Sequence, residues 1–340
     1  MTKINLLLVC FFSSLLFAQK VEMETLLKDK ISIRALALWD GKVWYSGTDS
    51  KFGYVSLKNA TDKKQIILSD KKLQFRTLGQ DKTAFYAVNI ESPALMFRIN
   101  KKTFQSQIVF RDTVRTAFYD ALHFVNDDLG YAFSDPDSDL KVKLAVFNSK
   151  GRNSWYVIDQ GGSVKMNAGE AAFAASNSNM ASTKDHLWIA TGGATARIFR
   201  LDFKNEKWSV FNTPFIQGSS SQGIYSIDFY NRKFGIAVGG DYTKQEQNIN
   251  NIATTNDGGK TWQIQASGKN AGYKTCVKIR PKSRGKDIIA VGDQHIEFSG
   301  DYGKTWTKIS DEKGLYVCEW IDRNTVVFAG KDRILKMTFR

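Results

Sequence analysis

A short turn occurs twice near the end of the sequence. The segment TTNDGGKTW occupies residues 254–262 and FSGDYGKTW occupies residues 298–306, with Asp, Gly, Thr and Trp in the same register. Both turns lie between short stretches rich in Val, Ile, Phe, Tyr and Trp, which are typical of β-strands. A chain that repeats one small unit stacks its copies, because a single unit cannot bury its apolar face alone. The repeat therefore predicts an all-β fold built from similar sheets.

A larger unit of four strands contains this turn. The second strand of each unit ends in small residues, in VWYSGTD, AFYAVNIE, GYAFSDPD, LWIATGGA, GIAVGGD, IIAVGDQ and VVFAGKD. The units run over residues 31–70, 73–113, 117–160, 169–215, 223–268, 273–311 and 314–340. Their length is close to the roughly 40–50 residues of a propeller blade. We expect a seven-bladed β-propeller with four-stranded blades.

The last unit is incomplete. Residues 314–340 contain three strands, whereas VEMETLL at residues 21–27 belongs to no unit. An open sheet edge invites pairing with another chain, so proteins cover such edges. We expect the N-terminal strand to add to the last blade and close the ring.

The first 19 residues have the pattern of an export signal. Lys3 precedes the apolar stretch INLLLVCFFSSLLF, and Ala18 supplies a small residue for cleavage. No later stretch is long and apolar enough to span a membrane. We therefore expect a leader at residues 1–19, a single propeller domain at 20–340, and a periplasmic or secreted bacterial protein that is a monomer without a transmembrane segment.

The sequence carries an excess of positive charge. Lys and Arg number 48 and Asp and Glu 34, for a net charge of +14. The charges are scattered, and the one dense cluster, RPKSRGK at 280–286, has no aromatic residues between its cations. Nucleic acid is thus a poor partner. The excess either solvates the surface or favours a partner protein, an anionic glycan or another envelope component.

No pattern of a cofactor or metal site is present. A glycine-rich dinucleotide loop and a haem-attachment motif are both missing, and His123, His186 and His295 are scattered. Cys276 and Cys318 remain after removal of the leader, at near-equivalent places in consecutive units. An exported pair can form a disulfide, or it can pack as two small thiols. We expect no cofactor and no metal.

Each residue of the repeated turn has a structural use. The pattern is formed by Thr255, Asp257, Gly259, Thr261 and Trp262, and again by Ser299, Asp301, Gly303, Thr305 and Trp306. The Asp carboxylate can accept backbone N–H groups across the turn, the Gly can take a positive φ, and the Trp covers the turn. A structural role is favoured over ligand binding by the two aspartates.

This pattern resembles the Asp-box, or BNR, repeat. Residues 223–330, with GIAVGGD and IATTNDGGKTWQ, are most similar to the photosystem II assembly/stability factor family; sialidases and sortilin-type propellers are more distant. The resemblance implies an exported propeller that binds and helps to assemble other proteins. We expect a bacterial relative without a photosynthetic role.

The first strand of each blade should begin at one mouth of the central channel. The candidate ligand-binding residues there are Arg34, Arg76, Tyr119, Glu170, Tyr225, Lys274 and Tyr316, and the loops after second strands add Asp241, Asp293 and His295. Such a mouth can bind a polar ligand, or it can be merely wet.

Two classes of function remain open. We favour a non-enzymatic binding or assembly propeller that recognises a protein or an anionic envelope ligand. The alternative is an enzyme at the channel mouth, either an oxidoreductase or a sialidase-like glycoside hydrolase. Arg98 in MFRIN resembles a sialidase signature, but Arg200 in IFRLD repeats it, so a hairpin repeat explains both. No residue is assigned a catalytic role.

Overall fold

A computed structural model describes residues 21–158 and 164–340, and its regular elements are strands. The leader predicted at residues 1–19 lies outside the described residues. The first seven strands are β1 (Val21–Trp39), β2 (Lys42–Gly47), β3 (Lys51–Ser56), β4 (Lys63–Ile67), β5 (Gly79–Gln80), β6 (Ala84–Val88) and β7 (Ala94–Asn100). The next seven are β8 (Ser106–Asp112), β9 (Tyr119–Asn126), β10 (Leu129–Ser134), β11 (Lys143–Asn148), β12 (Trp155–Ile158), β13 (Glu170–Ala171) and β14 (Met180–Ser182).

The second half of the chain continues in the same way. Its first seven strands are β15 (His186–Ala190), β16 (Gly192–Gly193), β17 (Arg197–Asp202), β18 (Lys207–Asn212), β19 (Gln222–Phe229), β20 (Gly235–Asp241) and β21 (Ile252–Thr255). The last seven are β22 (Gln263–Ile264), β23 (Cys276–Ile279), β24 (Ile288–Gly292), β25 (His295–Ser299), β26 (Thr307–Ser310), β27 (Leu315–Trp320) and β28 (Thr325–Phe339). Among residues 21–158 and 164–340, no helix has the length and apolar character needed to cross a membrane.

The described strands form six antiparallel sheets. Four sheets have four strands, in the orders β5-β6-β7-β8, β12-β11-β10-β9, β14-β15-β17-β18 and β23-β24-β25-β26. Two sheets have six strands, in the orders β27-β28-β1-β2-β3-β4 and β13-β16-β19-β20-β21-β22. The all-β propeller is as predicted from the sequence.

The predicted count of seven blades is wrong, because the structure has six. The first and seventh predicted units do not form separate sheets, since β1 and β28 are continuous and link them in one sheet of six strands. The first part of β1 pairs with β28 and its second part pairs with β2. A strand of 19 residues is long enough to serve both neighbours. Spacing between sequence repeats cannot show whether a strand stops between two units.

The expected pairing of the N-terminal segment with the last strand is present. Val21 pairs with Phe339 and Leu27 with Ile334, and the ladder continues to Lys28 before a bulge. Leu26 and Leu27 are buried, at 4% and 5% exposure. The edge of β28 is therefore covered by the chain's own N-terminal strand.

The inner strands surround a central channel. Strand β9 contacts β5 and β14, and β19 contacts β14 and β23. Along β1 the side chains alternate, so that Ile33 and Ala35 are buried between sheets, whereas Arg34, Leu36 and Leu38 face the channel and are half-buried. Each inner strand thus offers one residue in two to the channel.

One stretch inside the channel was not predicted. Residues 172–179, here called the channel segment, connect β13 to β14 at the place where an inner strand was expected for unit 169–215. The segment is anchored on three sides. Ser176 Oγ donates to the Thr275 carbonyl over 2.6 Å, Asn177 Nδ2 donates to the Leu78 carbonyl over 2.9 Å, and the Ala175 carbonyl accepts from Arg34 over 3.0 Å.

The channel segment separates two cavities. Phe173, Ala174 and Ala175 line a cavity at one end of the channel, which we call the upper cavity. Asn177 and Ser178 line another at the opposite end, which we call the lower cavity. Small side chains allow the segment to lie inside a narrow channel. The six-residue run from 174 to 179 contains only Ala, Ser and Asn.

Candidate functional site

The upper cavity is the best candidate for a binding site, with a volume of about 380 Å³. Its lining consists of Arg34, Arg76, Phe173, Ala174, Ala175, Tyr225, Tyr242, Gln245, Tyr273, Thr275, Asp293 and Tyr316. The sequence-predicted residues brought together here are Arg34, Arg76, Tyr225, Asp293 and Tyr316.

Two guanidinium groups in this cavity lack an acidic partner. Arg34 lies over the ring of Tyr316, 4.1 Å from its centroid, and donates to the Ala175 carbonyl. Arg76 precedes β5 and is half-buried. Within the described part of the chain, neither arginine forms an ion pair with a carboxylate. Burial and the nearby charge of Arg34 lower the pKa of Arg76, so an anion bound here would relieve an unfavourable charge.

Aromatic rings form the wall of the cavity. Phe173 stacks on Tyr225 with centroids 3.8 Å apart, and Tyr273 meets Tyr225 edge-on at 4.8 Å. Burial raises the pKa of Tyr225 and of Tyr273, which keeps both phenols neutral. The wall is therefore apolar but retains hydroxyl groups.

The cavity and its rim are positively charged. Arg34 and Arg76 against Asp293 leave a lining charge of +2 − 1 = +1. Asp293 accepts a hydrogen bond from Gln294 over 3.0 Å. It also lies in a shallow depression beside the cavity, whose lining includes the exposed lysines Lys28, Lys30, Lys313 and Lys331. A long anionic ligand could contact both surfaces.

A buried pair of carboxyl groups lies near Arg76. Asp120 is fully buried beside Asp135. Asp135 accepts a hydrogen bond from the Ala172 backbone over 2.8 Å. Burial and the neighbouring Asp135 raise the pKa of Asp120 well above its ordinary value, and burial raises that of Asp135 to about 6. Two such groups that share a proton carry a single negative charge, which lies near Arg76 but outside ion-pair distance.

Three predicted mouth residues lie in buried networks instead. Tyr119 donates from its hydroxyl to Asp112 over 3.1 Å. Glu170 is paired with Arg197, whose Nε lies 3.0 Å from Oε2. Lys274 is completely buried, and its Nζ lies 2.6 Å from Glu297 Oε2. The prediction that Tyr119, Glu170 and Lys274 line the mouth is wrong because each side chain points into the protein.

Two further predicted residues, Asp241 and His295, do not line the cavity. Asp241 accepts bonds from the Thr243 backbone over 2.9 Å and from its hydroxyl over 2.6 Å. Burial raises the pKa of Asp241, but these bonds outweigh burial and lower it. His295 is buried with its Nε2 3.5 Å from Glu297, so it does not reach the cavity lining.

Several lining residues were missed from the sequence. These are Phe173, Ala174, Ala175, Tyr242, Gln245, Tyr273 and Thr275. Tyr273 is the neighbour of the predicted Lys274, just before β23, and the two side chains point to opposite sides of the backbone. Phe173 belongs to the channel segment, for which no strand pattern exists. Tyr242 is half-exposed in the loop after β20, and in this region only its neighbour Asp241 was predicted.

The two repeated turns lie between β21 and β22 and between β25 and β26, away from both cavities. Asp257 accepts backbone bonds from Lys260 and Thr261, each over 3.0 Å, and Trp262 donates to the Gly259 carbonyl over 3.0 Å. The φ of Gly259 is +82°. The carboxylate is thus occupied within its own turn.

The second turn has the same bonds. Asp301 accepts from the Thr305 backbone over 2.9 Å, Ser299 donates to Asp301 over 2.8 Å, and Trp306 donates to the Gly303 carbonyl over 2.9 Å. The φ of Gly303 is +81°, so glycine is favoured here by the backbone conformation, as it is at Gly259.

The two cysteines lie side by side as free thiols. The sulfur atoms of Cys276 and Cys318 are 3.8 Å apart, and both residues are completely buried. Burial raises the pKa of Cys276, but bonds with Cys318 and the charge of Lys278 outweigh it and lower the value to about 7. A disulfide after oxidation stays a prediction. No cluster of three or more His, Cys, Asp or Glu that could hold a metal occurs in the described ranges.

Comparisons with known proteins show the fold. No family model matches the sequence, and no curated protein matches it. A solved structure described as YCF48 bound to D1 peptide has a TM-score of 0.65 at 11% identity, covering 94% of this chain and 97% of that one. The YCF48 structure from Cyanidioschyzon merolae has a TM-score of 0.63 at 11% identity, covering 94% and 98%.

WD40 propellers are similar to the same extent. The crystal structure of the RRP9 WD40 repeats has a TM-score of 0.65 at 12% identity, covering 94% of this chain and 97% of that one. These similarities extend over nearly the whole of both chains, and at such identities they establish a β-propeller rather than a particular activity.

Proposed function

We propose that this protein is a non-enzymatic, exported binding propeller that holds a segment of a partner protein in the upper cavity through a carboxylate. The observation that carries this proposal is the pair of guanidinium groups of Arg34 and Arg76, which face one cavity without an acidic partner among the described residues. A carboxylate can accept hydrogen bonds from both groups.

The size and wall of the cavity favour one residue of an extended chain. A volume of about 380 Å³ admits a side chain or a chain terminus, not a folded domain. The rings of Phe173, Tyr225 and Tyr273 offer apolar contact to the atoms beside that carboxylate. The adjoining lysines extend the positive surface beyond the cavity, which suits further acidic residues of the same partner.

The comparisons support a protein ligand. One neighbour in fold is a YCF48 structure bound to a peptide, and WD40 repeat proteins share the architecture. The Asp-box turns and the resemblance to photosystem II assembly factors agree with a role in binding or assembly.

The sialidase-like alternative gains no support from the geometry. Arg98 lies in β7 and Arg200 in β17, both third strands of their sheets, and neither lines the upper cavity. They do not join Arg34 and Arg76 in a cluster for one substrate carboxylate.

The proposal is tested by identifying the partner and mapping its binding. Full-length protein and an Arg34→Gln/Arg76→Gln variant are used to capture proteins from the source cells, with photo-crosslinking from a benzoylphenylalanine at position 242. Overlapping peptides of ten residues from the crosslinked protein are then measured by fluorescence anisotropy. We expect an acidic peptide to lose at least tenfold in affinity in the variant, because charge-assisted hydrogen bonds contribute about 1.5–3 kcal/mol each.

Arg232→Gln is the matched control, because Arg232 is exposed in the turn after β19, away from the cavity. It should bind like the wild type. The proposal fails if the crosslinked peptide binds the Arg34→Gln/Arg76→Gln variant as tightly as it binds the Arg232→Gln control. It also fails if an amidated peptide without any carboxylate binds as well as the acidic one.

A further inference from the structure

The lower cavity is a second cavity at the opposite end of the channel, with a volume of about 410 Å³. The channel segment separates it from the upper cavity through Asn177, which accepts from the Leu122 backbone over 2.8 Å and donates to the Leu78 carbonyl. Ser178 is bonded to Ser226 over 2.7 Å in the same layer. A ligand in one cavity therefore does not occupy the other.

One wall of the lower cavity carries charges of both signs. Lys278 Nζ lies 2.7 Å from Glu319 Oε2, and both side chains are partly exposed to the cavity. Asp228 lines the same wall and accepts the Ile279 backbone N–H over 2.7 Å. Burial lowers the pKa of Lys278, but Glu319 and Asp228 outweigh burial and raise it. The ammonium group therefore stays charged between its acidic neighbours.

The remaining lining is apolar or uncharged. Leu36, Leu38 and Phe124 provide apolar surface. His123 Nε2 is bonded to Ser182 Oγ over 2.8 Å, and burial lowers the pKa of His123 to about 4, so the imidazole is neutral at physiological pH. The cavity thus combines a wall bearing both charges with a smaller apolar surface of leucine and phenylalanine.

This combination selects against ligands with one charge. Burial raises the pKa of Asp228, so the Lys278–Glu319 pair, with one charge of each sign, dominates this wall. A simple cation or a simple anion therefore meets one attractive and one repulsive neighbour. A zwitterion can place its ammonium beside the carboxylates and its carboxylate beside Lys278. We propose that the lower cavity binds a small zwitterion with an apolar side chain, of the class of apolar α-amino acids.

The proposal is tested by titrating the full chain with four probes in a calorimeter. L-Leucine carries both charges and an apolar side chain, glycine lacks the side chain, and hexylammonium and hexanoate each carry one charge. We expect saturable binding of leucine, with each of the other probes weaker by at least tenfold. The proposal would be overturned if leucine showed no saturable binding at concentrations up to about 10 mM.

Variants locate the binding. Glu319→Gln should weaken leucine binding at least fivefold, whereas Glu312→Gln, which alters a comparable ion pair with Arg333 on the outer surface, should not. Lys278→Met removes the positive charge of Lys278. If that variant does not fold, Lys278→Arg, which keeps a positive charge, is the folded alternative. Tyr242→Ala, which alters the upper cavity at a half-exposed loop residue outside the channel segment, should leave leucine binding unchanged. Equal binding by wild type and Glu319→Gln, or loss of binding in Tyr242→Ala, would contradict the assignment.

Discussion

At the scale of the residue, the Asp carboxylate of the repeated turn accepts its hydrogen bonds from within the turn itself. Asp257 accepts from two backbone N–H groups and from the hydroxyl of Thr261 over 2.6 Å. These bonds outweigh burial, which raises the pKa, and hold the pKa of Asp257 below its ordinary value. Little acceptor capacity remains for a ligand.

Asp257→Ala and Asp301→Ala should each lower the free energy of unfolding by about 1–2 kcal/mol, because the turn's donors lose their acceptor. Binding of a partner peptide should survive. Denaturant unfolding measures the first effect and anisotropy the second. Asp311→Ala removes an exposed carboxylate beside Lys308 and should leave stability unchanged. Unaltered stability together with lost peptide binding would show that the turns bind the ligand.

At the scale of the element, β1 is the strand on which the ring depends. Its first part covers β28, with Leu26 and Leu27 buried in the core and Glu24 paired with Lys336 over 2.6 Å. Its second part brings Arg34 into the upper cavity. The same strand thus closes the ring and positions a candidate binding residue, Arg34.

Deletion of residues 21–27 should expose the edge of β28 and remove the buried leucines. We expect aggregation, or a melting temperature lower by roughly 10 °C or more. Light scattering and thermal unfolding measure the two outcomes. Glu24→Ala, which removes only the ion pair, should change the melting temperature little. A monodisperse truncated protein that melts with the wild type would show that the N-terminal strand does not protect this edge.

At the scale of the whole molecule, charge sets the response to acid. The chain has a net charge of +14 near neutrality, and protonation of its carboxylates adds to this excess. Burial lowers the pKa of His123 to about 4 from an ordinary 6.5. Between these values the unfolded chain binds a proton that the folded chain does not, so stability falls as the pH is lowered from 6.5 to 4.

His123→Gln should flatten this dependence while keeping a hydrogen-bonding side chain opposite Ser182. We expect the loss of stability between pH 6.5 and 4 to shrink by on the order of 2 kcal/mol. Asp135, whose pKa burial raises to about 6, acts in the opposite direction and is present in both proteins. Calorimetry at pH 7, 6, 5 and 4 measures the effect. Parallel curves for the two proteins would show that His123 is not the group that titrates.

The sequence alone determined the features that arise from residues close together in the chain, namely the strands and the tight turns. Strand alternation and turn residues predicted the propeller, and Thr255, Asp257 and Gly259 predicted a self-bonded turn whose contacts span only a few positions. Five of the ten predicted mouth residues line the upper cavity, because the approximate place of each inner strand and of the loops after second strands can be read from neighbouring residues.

Only the tertiary structure decided how distant segments meet. The number of sheets depended on whether β1 continues between two units, which no local pattern states. Just before β23, Tyr273 faces the cavity whereas its neighbour Lys274 is buried against Glu297, a difference that only the packing of the surrounding segments sets. The channel segment has no strand pattern, and its bonds join residues nearly 100 positions apart, such as Asn177 and Leu78. The two cavities exist because these long-range contacts close the channel in its middle.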